Sequence, residues 1–167
     1  GISAEIRNEW QSTVGYSFDV SYQGPMYDGR DRTKGKVRVD ISTRREKTDT
    51  QHVLVPSEYD DVRPFVLTVI SPDHLMAEKV RALLVRSKAR DVFDIWLLIN
   101  QGVSVDRKLI EKKLALYEIP LTTQNLNDAL DKAKADWTRD LRPLLPLLVS
   151  WKDAASQIEP VLRKLIV

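Results

Sequence analysis

The spacing of hydrophobic residues along the chain changes at Ser71. In residues 17–22 and 36–42, apolar and polar side chains alternate, which predicts strands with one apolar face each. Residues 53–55 and 65–70 are further strand candidates, and the β-branched composition of the latter predicts a well-buried strand. From Ser71 onwards, apolar residues recur every three to four positions, as they do in amphipathic helices. We therefore expect a change from strands to helices at this point.

One short helix is also predicted near the start of the chain. Ile6, Trp10 and Val14 are spaced at i, i+4 and i+8, so they would share one face of a helix over residues 4–14. Residues 23–35 are rich in glycine, aspartate and charge, which predicts a loop between the first two strands. The first portion of the chain is therefore expected to be mixed but mainly β.

Capping and helix-breaking residues locate the helices of the second portion. Ser71 followed by Pro72 suits the start of the first helix, and Gly102 suits the end of the second. Ser104 or Asp106 suits the start of the third helix, and Thr122 or Thr123 suits the start of the fourth. The last helix is expected to begin at about Trp151, and Pro160 within it could kink or divide it. We expect residues 1–70 to form a β-rich portion and residues 71–167 to form an α-helical bundle. The predicted fold class is α+β.

Composition excludes several classes of protein. The 167 residues are 43% hydrophobic and 30% charged, which is typical of a soluble globular protein, and a formal charge of +2 does not by itself indicate nucleic-acid binding. The absence of cysteine excludes disulfides, thiolate catalysis and cysteine-bound zinc, and His52 and His74 lack metal-ligand spacing. No apolar run is long enough to span a membrane and no signal peptide is visible, so the expected location is cytoplasmic.

Cationic residues fall on a helix face that is expected to be buried. Lys79 lies between Leu75 and Leu83 on a helical wheel, and Arg86 falls on the same stripe. One interpretation is that their aliphatic stems cover apolar surface while the charged heads reach solvent. The other is a cationic patch inside a cleft, which would suit a phosphate-bearing substrate.

Asp91 and Asp94 lie three residues apart on an otherwise apolar helix, so both can face one partner. They could bind a cation, orient Lys79, or form ion pairs with Arg86 and Arg90. Lysine and aspartate are rarely buried without a partner, because desolvating an unpaired charge is costly. From spacing alone, an interhelical salt-bridge cluster is the favoured interpretation.

Asp40 lies at the end of a β-branched strand and faces opposite to Val39 and Ile41. An acid on the polar face of an exposed strand needs no special explanation. An acid at a strand end beside a cleft is also a common position for a metal-binding carboxylate. The charged run at residues 43–47 is interpreted as a solvated segment, although arginines after a strand could contact phosphate.

Two sets of residues make this chain resemble a known family. The first is a strand that ends in Asp40 and is followed by Arg45-Glu46. The second is the pattern E-K-x-x-A-L-x-x-R-x-x-x-R-D-x-x-D, whose specified positions are Glu78, Lys79, Ala82, Leu83, Arg86, Arg90, Asp91 and Asp94. On these residues the chain resembles the AbiEii/AbiGii-type nucleotidyltransferase toxins, the toxin half of type IV toxin–antitoxin and phage-abortive infection systems. The resemblance covers residues 17–101 well and the helical tail loosely.

The resemblance implies a partial polymerase-β-like nucleotidyltransferase sheet followed by a helical bundle. The implied activity is transfer of a nucleotide from a nucleoside triphosphate to a tRNA, another RNA or a protein acceptor. The implied cofactor is Mg²⁺, because carboxylates hold that ion on a triphosphate and cations neutralise the leaving pyrophosphate. A cognate antitoxin is an implied partner.

The resemblance also assigns roles to individual residues. Asp40 is similar to the third carboxylate of the metal site, and Lys79 to the lysine that contacts the triphosphate. Asp91 is similar to the acid of the last motif, which orients Lys79 or the acceptor, and Asp94 is a second acid for that role. The remaining substrate-binding candidates, which would support phosphate binding or the ion-pair network, are Arg86 and Arg90.

One motif of the family is not found. Its first motif is a Gly-Ser or Gly-Gly-Thr turn followed by an Asp-x-Asp pair on a strand, and this chain has no such pair. The chain is therefore expected to correspond to the later part of a family member, or to a degenerate homologue, and to be inactive alone. The alternative function is a non-catalytic domain that binds nucleic acid or protein through Arg44, Arg45, Arg86, Lys88 and Arg90.

Overall fold

A computed structural model describes residues 2–44 and 46–166 of the chain. They form two compact units, Gly1–Lys47 and Thr48–Val167. The first unit contains a small antiparallel sheet, and the second contains a strand pair followed by helices. This content confirms the α+β class. The division into domains at residue 70 stays a prediction.

The first unit is a three-stranded antiparallel sheet with the strand order β1-β2-β3. The strands are β1 (Ala4–Gln11), β2 (Gly15–Tyr22) and β3 (Gly35–Ser42). The loop between β2 and β3 carries one turn of 3₁₀ helix at Asp31–Thr33. The strands predicted from alternation, and the loop between them, are thus confirmed.

The helix predicted over residues 4–14 is wrong, because this segment forms strand β1. An isolated helix of this length is marginal in water, whereas pairing with β2 gives part of the backbone of this segment hydrogen-bond partners along one edge. The pairing register shifts between Arg7 and Trp10, and Asn8 there has a positive φ of 52°. Because of this bulge, Ile6 lies on the face of Val20 and Trp10 lies on the opposite face, beside Ser17.

The two faces of this sheet differ in chemistry. Phe18 and Val20 of β2 lie opposite Val39 and Val37 of β3 on one face, as the alternation predicts. The other face of β2 carries Ser17, Asp19 and Ser21, and these polar side chains are more deeply buried than the apolar ones. Ion pairs and hydrogen bonds from the neighbouring strands cover this polar face.

The second unit begins with the antiparallel pair β4 (Thr50–Val55) and β5 (Phe65–Ile70). Both strands were predicted, but the expectation that β5 is well buried is wrong. Phe65, Val66 and Leu67 are exposed. The physical reason is that, within the described residues, β5 pairs only with β4, so its β-branched side chains lack a covering layer.

The helices of the second unit enclose the main hydrophobic core. They are α1 (Pro72–Arg86), α2 (Ala89–Asn100), α3 (Arg107–Ala115), α4 (Thr123–Leu141) and α5 (Trp151–Arg163). The core is built from one apolar stripe of each helix, for example Val80, Ile95, Ile110, Trp137 and Ile158. Among the described residues, no helix is long and apolar enough to cross a membrane.

The helix starts follow the predicted caps. Pro72 begins α1, although the hydroxyl of Ser71 makes no capping hydrogen bond. The alternatives left open by the sequence are decided for Asp106, whose carboxylate accepts from the N–H of Leu109, and for Thr122, whose hydroxyl accepts from the N–H of Asn125. Each of these two hydrogen bonds satisfies a backbone N–H in the first turn of a helix that would otherwise lack a partner.

Candidate active site

Lys79 and Asp94 form an interhelical ion pair. The Nζ of Lys79 on α1 lies 2.6 Å from Oδ2 of Asp94 on α2, and their side chains are 27% and 35% exposed. The aliphatic stem of Lys79 therefore lies along the packed helices while its charged head meets a partner at the rim. An ammonium carries three N–H donors, so it can contact a phosphate oxygen while it remains paired.

Arg86 and Asp91 form the second ion pair between these helices. The guanidinium donates from Nε to Oδ2 at 2.8 Å and from Nη2 to Oδ1 at 2.7 Å. The side chain of Asp91 is fully buried, whereas that of Arg86 is 56% exposed. The hydrogen bond to Asp91 raises the pKa of Arg86 above its usual range. Both oxygens of Asp91 are thus used by Arg86.

The turn between α1 and α2 makes the second pair possible. Ser87 ends α1 in the left-handed region with a φ of 53°, and its N–H donates to the carbonyl of Leu83. Lys88 is extended, and α2 then begins at Ala89. This short turn places the last residue of α1 beside the first turn of α2, where the carboxylate of Asp91 is also favourable near the positive helix end.

The structure separates the predicted roles of the two acids. The acid beside Lys79 is Asp94, and the expected contact of Asp91 with Lys79 is absent because Asp91 is engaged by Arg86. Arg90 is exposed and has no ion-pair partner within the described part of the chain. The spacing-based interpretation of interhelical salt bridges therefore describes the observed contacts, and the catalytic roles stay predictions.

Asp40 belongs to the first unit and lies on the polar face of β3. Its exposed carboxylate accepts a hydrogen bond from Nε of Arg38 at 3.3 Å. The same guanidinium donates from Nη2 to Oγ of Ser17 at 3.2 Å. Asp40 is paired opposite Ser17 and faces away from Val39 and Ile41, as the sequence predicts.

Asp19 is a second carboxylate on this polar face, and it is not among the site residues predicted from the sequence. Its side chain is only 2% exposed, and Oδ2 accepts from Lys36 at 2.7 Å and from Asn8 at 2.7 Å. The hydrogen bonds from Lys36 and Asn8 hold the pKa of Asp19 below its usual range. Oδ1 has no hydrogen-bond partner among the described residues and lies 4.0 Å from Nη1 of Arg38. The signal in the sequence was an acid in the middle of an alternating strand.

The carboxylates of the described residues do not complete a metal site. Nowhere in residues 2–44 and 46–166 do three or more His, Asp or Glu side chains gather in a way that could hold a metal ion. The nearest charged neighbour of Asp40 is the cation Arg38, not another ligand. Within the described part of the chain, the residues present therefore do not make a complete Mg²⁺ site.

Glu78 has a role that its motif did not reveal. Its Oε1 lies 2.8 Å from Nζ of Lys113, which is almost completely buried on α3, and its Oε2 accepts from Nε of Arg81 at 2.7 Å. The guanidinium of Arg81 also lies 4.4 Å from the centroid of the Tyr117 ring. Glu78 therefore joins α1 to α3. The lysine at i+3 from the buried Ile110 was the available signal.

The arginine–glutamate pair of the resemblance falls partly outside the described residues. Arg45 is one of the residues that the structure does not describe. Arg44 and Glu46 follow strand β3 on either side of it, and the N–H of Glu46 donates to the carbonyl of Arg44. The predicted contacts of this segment with phosphate stay predictions.

Comparison with known families agrees with the motif on α1 and α2. Residues 2–157 match the family model described as "Nucleotidyl transferase AbiEii toxin, Type IV TA system". Searches of curated proteins and of solved structures find no match to the chain. The family match spans the sheet unit, the strand pair and the helices that carry Lys79, Arg86, Asp91 and Asp94. The chain therefore belongs to the AbiEii nucleotidyl transferase toxin family of type IV toxin–antitoxin systems.

Proposed function

We propose that the intact toxin transfers a nucleotide from a nucleoside triphosphate to an RNA acceptor, such as a tRNA, or to a protein acceptor. The observation that supports this best is the Lys79 ammonium, which is partly buried and held 2.6 Å from Asp94. A lysine head fixed at the rim of packed helices is suited to a phosphate, because its position does not depend on a freely moving side chain.

The charged residues of α1 and α2 would then have different roles in nucleotide transfer. Lys79 contacts the triphosphate and neutralises the charge that grows on the leaving pyrophosphate. Asp94 is a positioning residue that holds the ammonium in place through their 2.6 Å contact. Asp91 acts through Arg86, whose guanidinium it orients, and Arg86 and the exposed Arg90 support binding of phosphate.

The metal part of the proposal rests on Asp40. Asp40 would supply one carboxylate to Mg²⁺, which when bound neutralises the triphosphate. The remaining ligands are not supplied by the described residues, and the sequence contains no Asp-x-Asp pair. For that reason we propose that this chain does not transfer nucleotides by itself.

Nucleotide transfer by the full-length gene product tests the proposal. Incubation with each α-³²P-labelled triphosphate, Mg²⁺ and total RNA should label an acceptor. Lys79→Met should lower the transfer rate by about 10²-fold, the effect of losing one charge-stabilising group. Lys108→Met is the matched control, because Lys108 is exposed on α3. Equal transfer by Lys79→Met and the native protein would exclude the assigned role of Lys79.

An antitoxin partner follows from the family, and its action can be tested in growing cells. Expression of the full-length toxin should arrest growth, and a cognate antitoxin gene expressed with it should restore growth. Lys79→Met should not arrest growth at equal protein level. Growth arrest that persists in Lys79→Met would indicate toxicity without nucleotide transfer.

A second candidate function is a binding domain without catalysis. The observation in its favour is that Lys88 and Arg90, at the turn between α1 and α2, are exposed and have no ion-pair partner within the described part of the chain. Such cations can hold a polyanion or an acidic protein surface. Salt-sensitive RNA binding that survives both Lys79→Met and Asp40→Asn, without any nucleotide transfer, would favour this alternative.

A further inference from the structure

A groove lies between α4 and α5, and none of the residues of the proposed transfer site lines it. Its larger cavity, of about 680 Å³, is lined by Lys134 of α4 and by Trp151, Lys152, Ser156 and Glu159 of α5. A second cavity of about 240 Å³ shares Lys134, Trp151 and Glu159 with the first. Together these cavities have the size of a site for one or two nucleotides or a small molecule.

The indole of Trp151 is held in a fixed orientation within this groove. Its ring packs edge-on against Trp137, with the centroids 5.2 Å apart and the planes at 80°. Trp137 is buried, and its Nε1 donates to the carbonyl of Val149 at 3.0 Å. Trp151 itself is partly exposed and lines both cavities. A preorganised aromatic ring at a groove is a low-cost platform for stacking, because little side-chain freedom is lost on binding.

The cations beside this ring are available to a ligand. Lys134 and Lys152 come from different helices, are exposed, and have no ion-pair partner within the described residues. Glu159 also lines the larger cavity, but its carboxylate is already paired with Arg163 at 3.0 Å. Asp131 lines only the smaller cavity. The larger cavity therefore combines an aromatic ring with uncompensated positive charge.

We infer that this groove binds single-stranded nucleic acid, with one base stacked on Trp151 and adjacent phosphates held by Lys134 and Lys152. A base supplies the flat face that the indole can stack on, and its phosphates supply the charge that the lysines lack. A duplex hides its base faces within the helix, so it cannot use the ring in this way. An acidic peptide would pair with the lysines but offers no flat face to the indole.

This inference goes beyond the proposed nucleotide transfer. The groove uses none of the residues Asp40, Lys79, Asp91 or Arg86, and binding there requires neither a triphosphate nor a metal ion. The two proposals can therefore fail separately. If both hold, the groove would retain the acceptor strand while the residues of α1 and α2 act on the triphosphate.

Fluorescence anisotropy with a labelled ten-nucleotide single-stranded RNA tests the inference on the full chain, in EDTA and without nucleotide. Trp151→Ala should weaken binding at least about fivefold, the effect of losing one stacked base. The double variant Lys134→Ala/Lys152→Ala should also weaken binding and should reduce the slope of log K against log salt by about 1.4, for two lost phosphate contacts. Trp151→Phe keeps an aromatic ring and should retain most of the affinity.

The controls separate binding from folding and from general charge. Lys132→Ala removes an exposed lysine of α4 that does not line the groove, and it should leave the affinity unchanged. Melting temperatures show which variants remain folded. The inference is overturned if Trp151→Phe binds as weakly as Trp151→Ala while both remain folded, or if inorganic polyphosphate, a matched duplex or polyglutamate binds as tightly as the single strand.

Discussion

Arg86 and Asp91 are joined by two parallel hydrogen bonds of 2.7 and 2.8 Å, so one guanidinium links the end of α1 to the first turn of α2. The two partners differ in their surroundings, because Asp91 is completely buried and Arg86 reaches solvent. Removing one of them is therefore not equivalent to removing the other. The cost depends on which charge is left behind.

We expect Arg86→Met to lower the free energy of unfolding more than Asp91→Asn does. Arg86→Met leaves a buried carboxylate without its partner and should cost about 3 kcal/mol. Asp91→Asn leaves an arginine that water can solvate and should cost about 1 kcal/mol. Chemical denaturation monitored by circular dichroism measures both values.

The double variant provides the check on this asymmetry. Arg86→Met/Asp91→Asn should be more stable than Arg86→Met alone, because the buried charge is gone. Arg90→Met serves as the control for an exposed arginine on α2 and should change stability by less than about 0.5 kcal/mol. Equal losses for Arg86→Met and Asp91→Asn would contradict the interpretation that burial of Asp91 dominates.

The network around Glu78 should make stability depend on pH. Burial acts to raise the pKa of Glu78, but hydrogen bonds from Lys113 and Arg81 outweigh it and lower the pKa below the ordinary value of 4.5. A carboxylate whose pKa is lower in the folded than in the unfolded state stabilises the fold at pH values above its unfolded-state pKa. This contribution is lost as the pH falls through the folded-state pKa. Glu78→Gln should therefore cost about 1.5–3 kcal/mol at pH 7. The difference from the native chain should shrink below about pH 4.5.

Glu111→Gln on α3 is the matched control, because Glu111 pairs with Arg107 in an exposed i,i+4 contact. It should cost only about 0.3–0.5 kcal/mol at neutral pH. A loss for Glu78→Gln that is the same at pH 7 and at pH 3 would show that its ion pairs do not account for its contribution.

Lys36 should control the ionisation of Asp19 in the sheet unit. The hydrogen bond from Lys36 is the main cause of the lowered pKa of Asp19, followed by that from Asn8. Lys36→Met should move the pKa of Asp19 upwards, so that acid unfolding of the sheet begins at a higher pH. The ¹³C carboxyl shift of Asp19, followed by NMR through an acid titration, measures this directly. Lys36→Arg should keep the native value, and a pKa that Lys36→Met leaves unaltered would rule out this ion pair as the cause.

Gly35 should be intolerant of a side chain because of Tyr22. The two residues are cross-strand partners, and a Cβ on Gly35 would overlap the Tyr22 ring. The same ring also lies close to Gly24, where an added Cβ would come within 3.1 Å of it. Gly35→Ala should lower the free energy of unfolding by about 1–3 kcal/mol. Tyr22→Leu in the same chain should recover part of this loss, and simple additivity of the two changes would contradict a steric conflict.

Much of the helical unit can be predicted from the sequence. The starts of α3 and α4 depend on Asp106 and Thr122, which bond to a helical N–H three residues ahead. Such contacts are local, so residue spacing is enough to find them. The motif on α1 and α2 is likewise local, and it predicted the family that the comparison confirms.

The sequence by itself determined the helices, their caps and the charged residues that share faces, because these depend on neighbours within one or two turns. Tertiary structure decided that residues 4–11 pair as a strand, since β2 supplies the hydrogen bonds that local spacing cannot show. It also decided that Asp94 contacts Lys79 and that Asp91 contacts Arg86. Spacing places both acids within reach of either cation, and only the way α2 packs against α1 selects the partners.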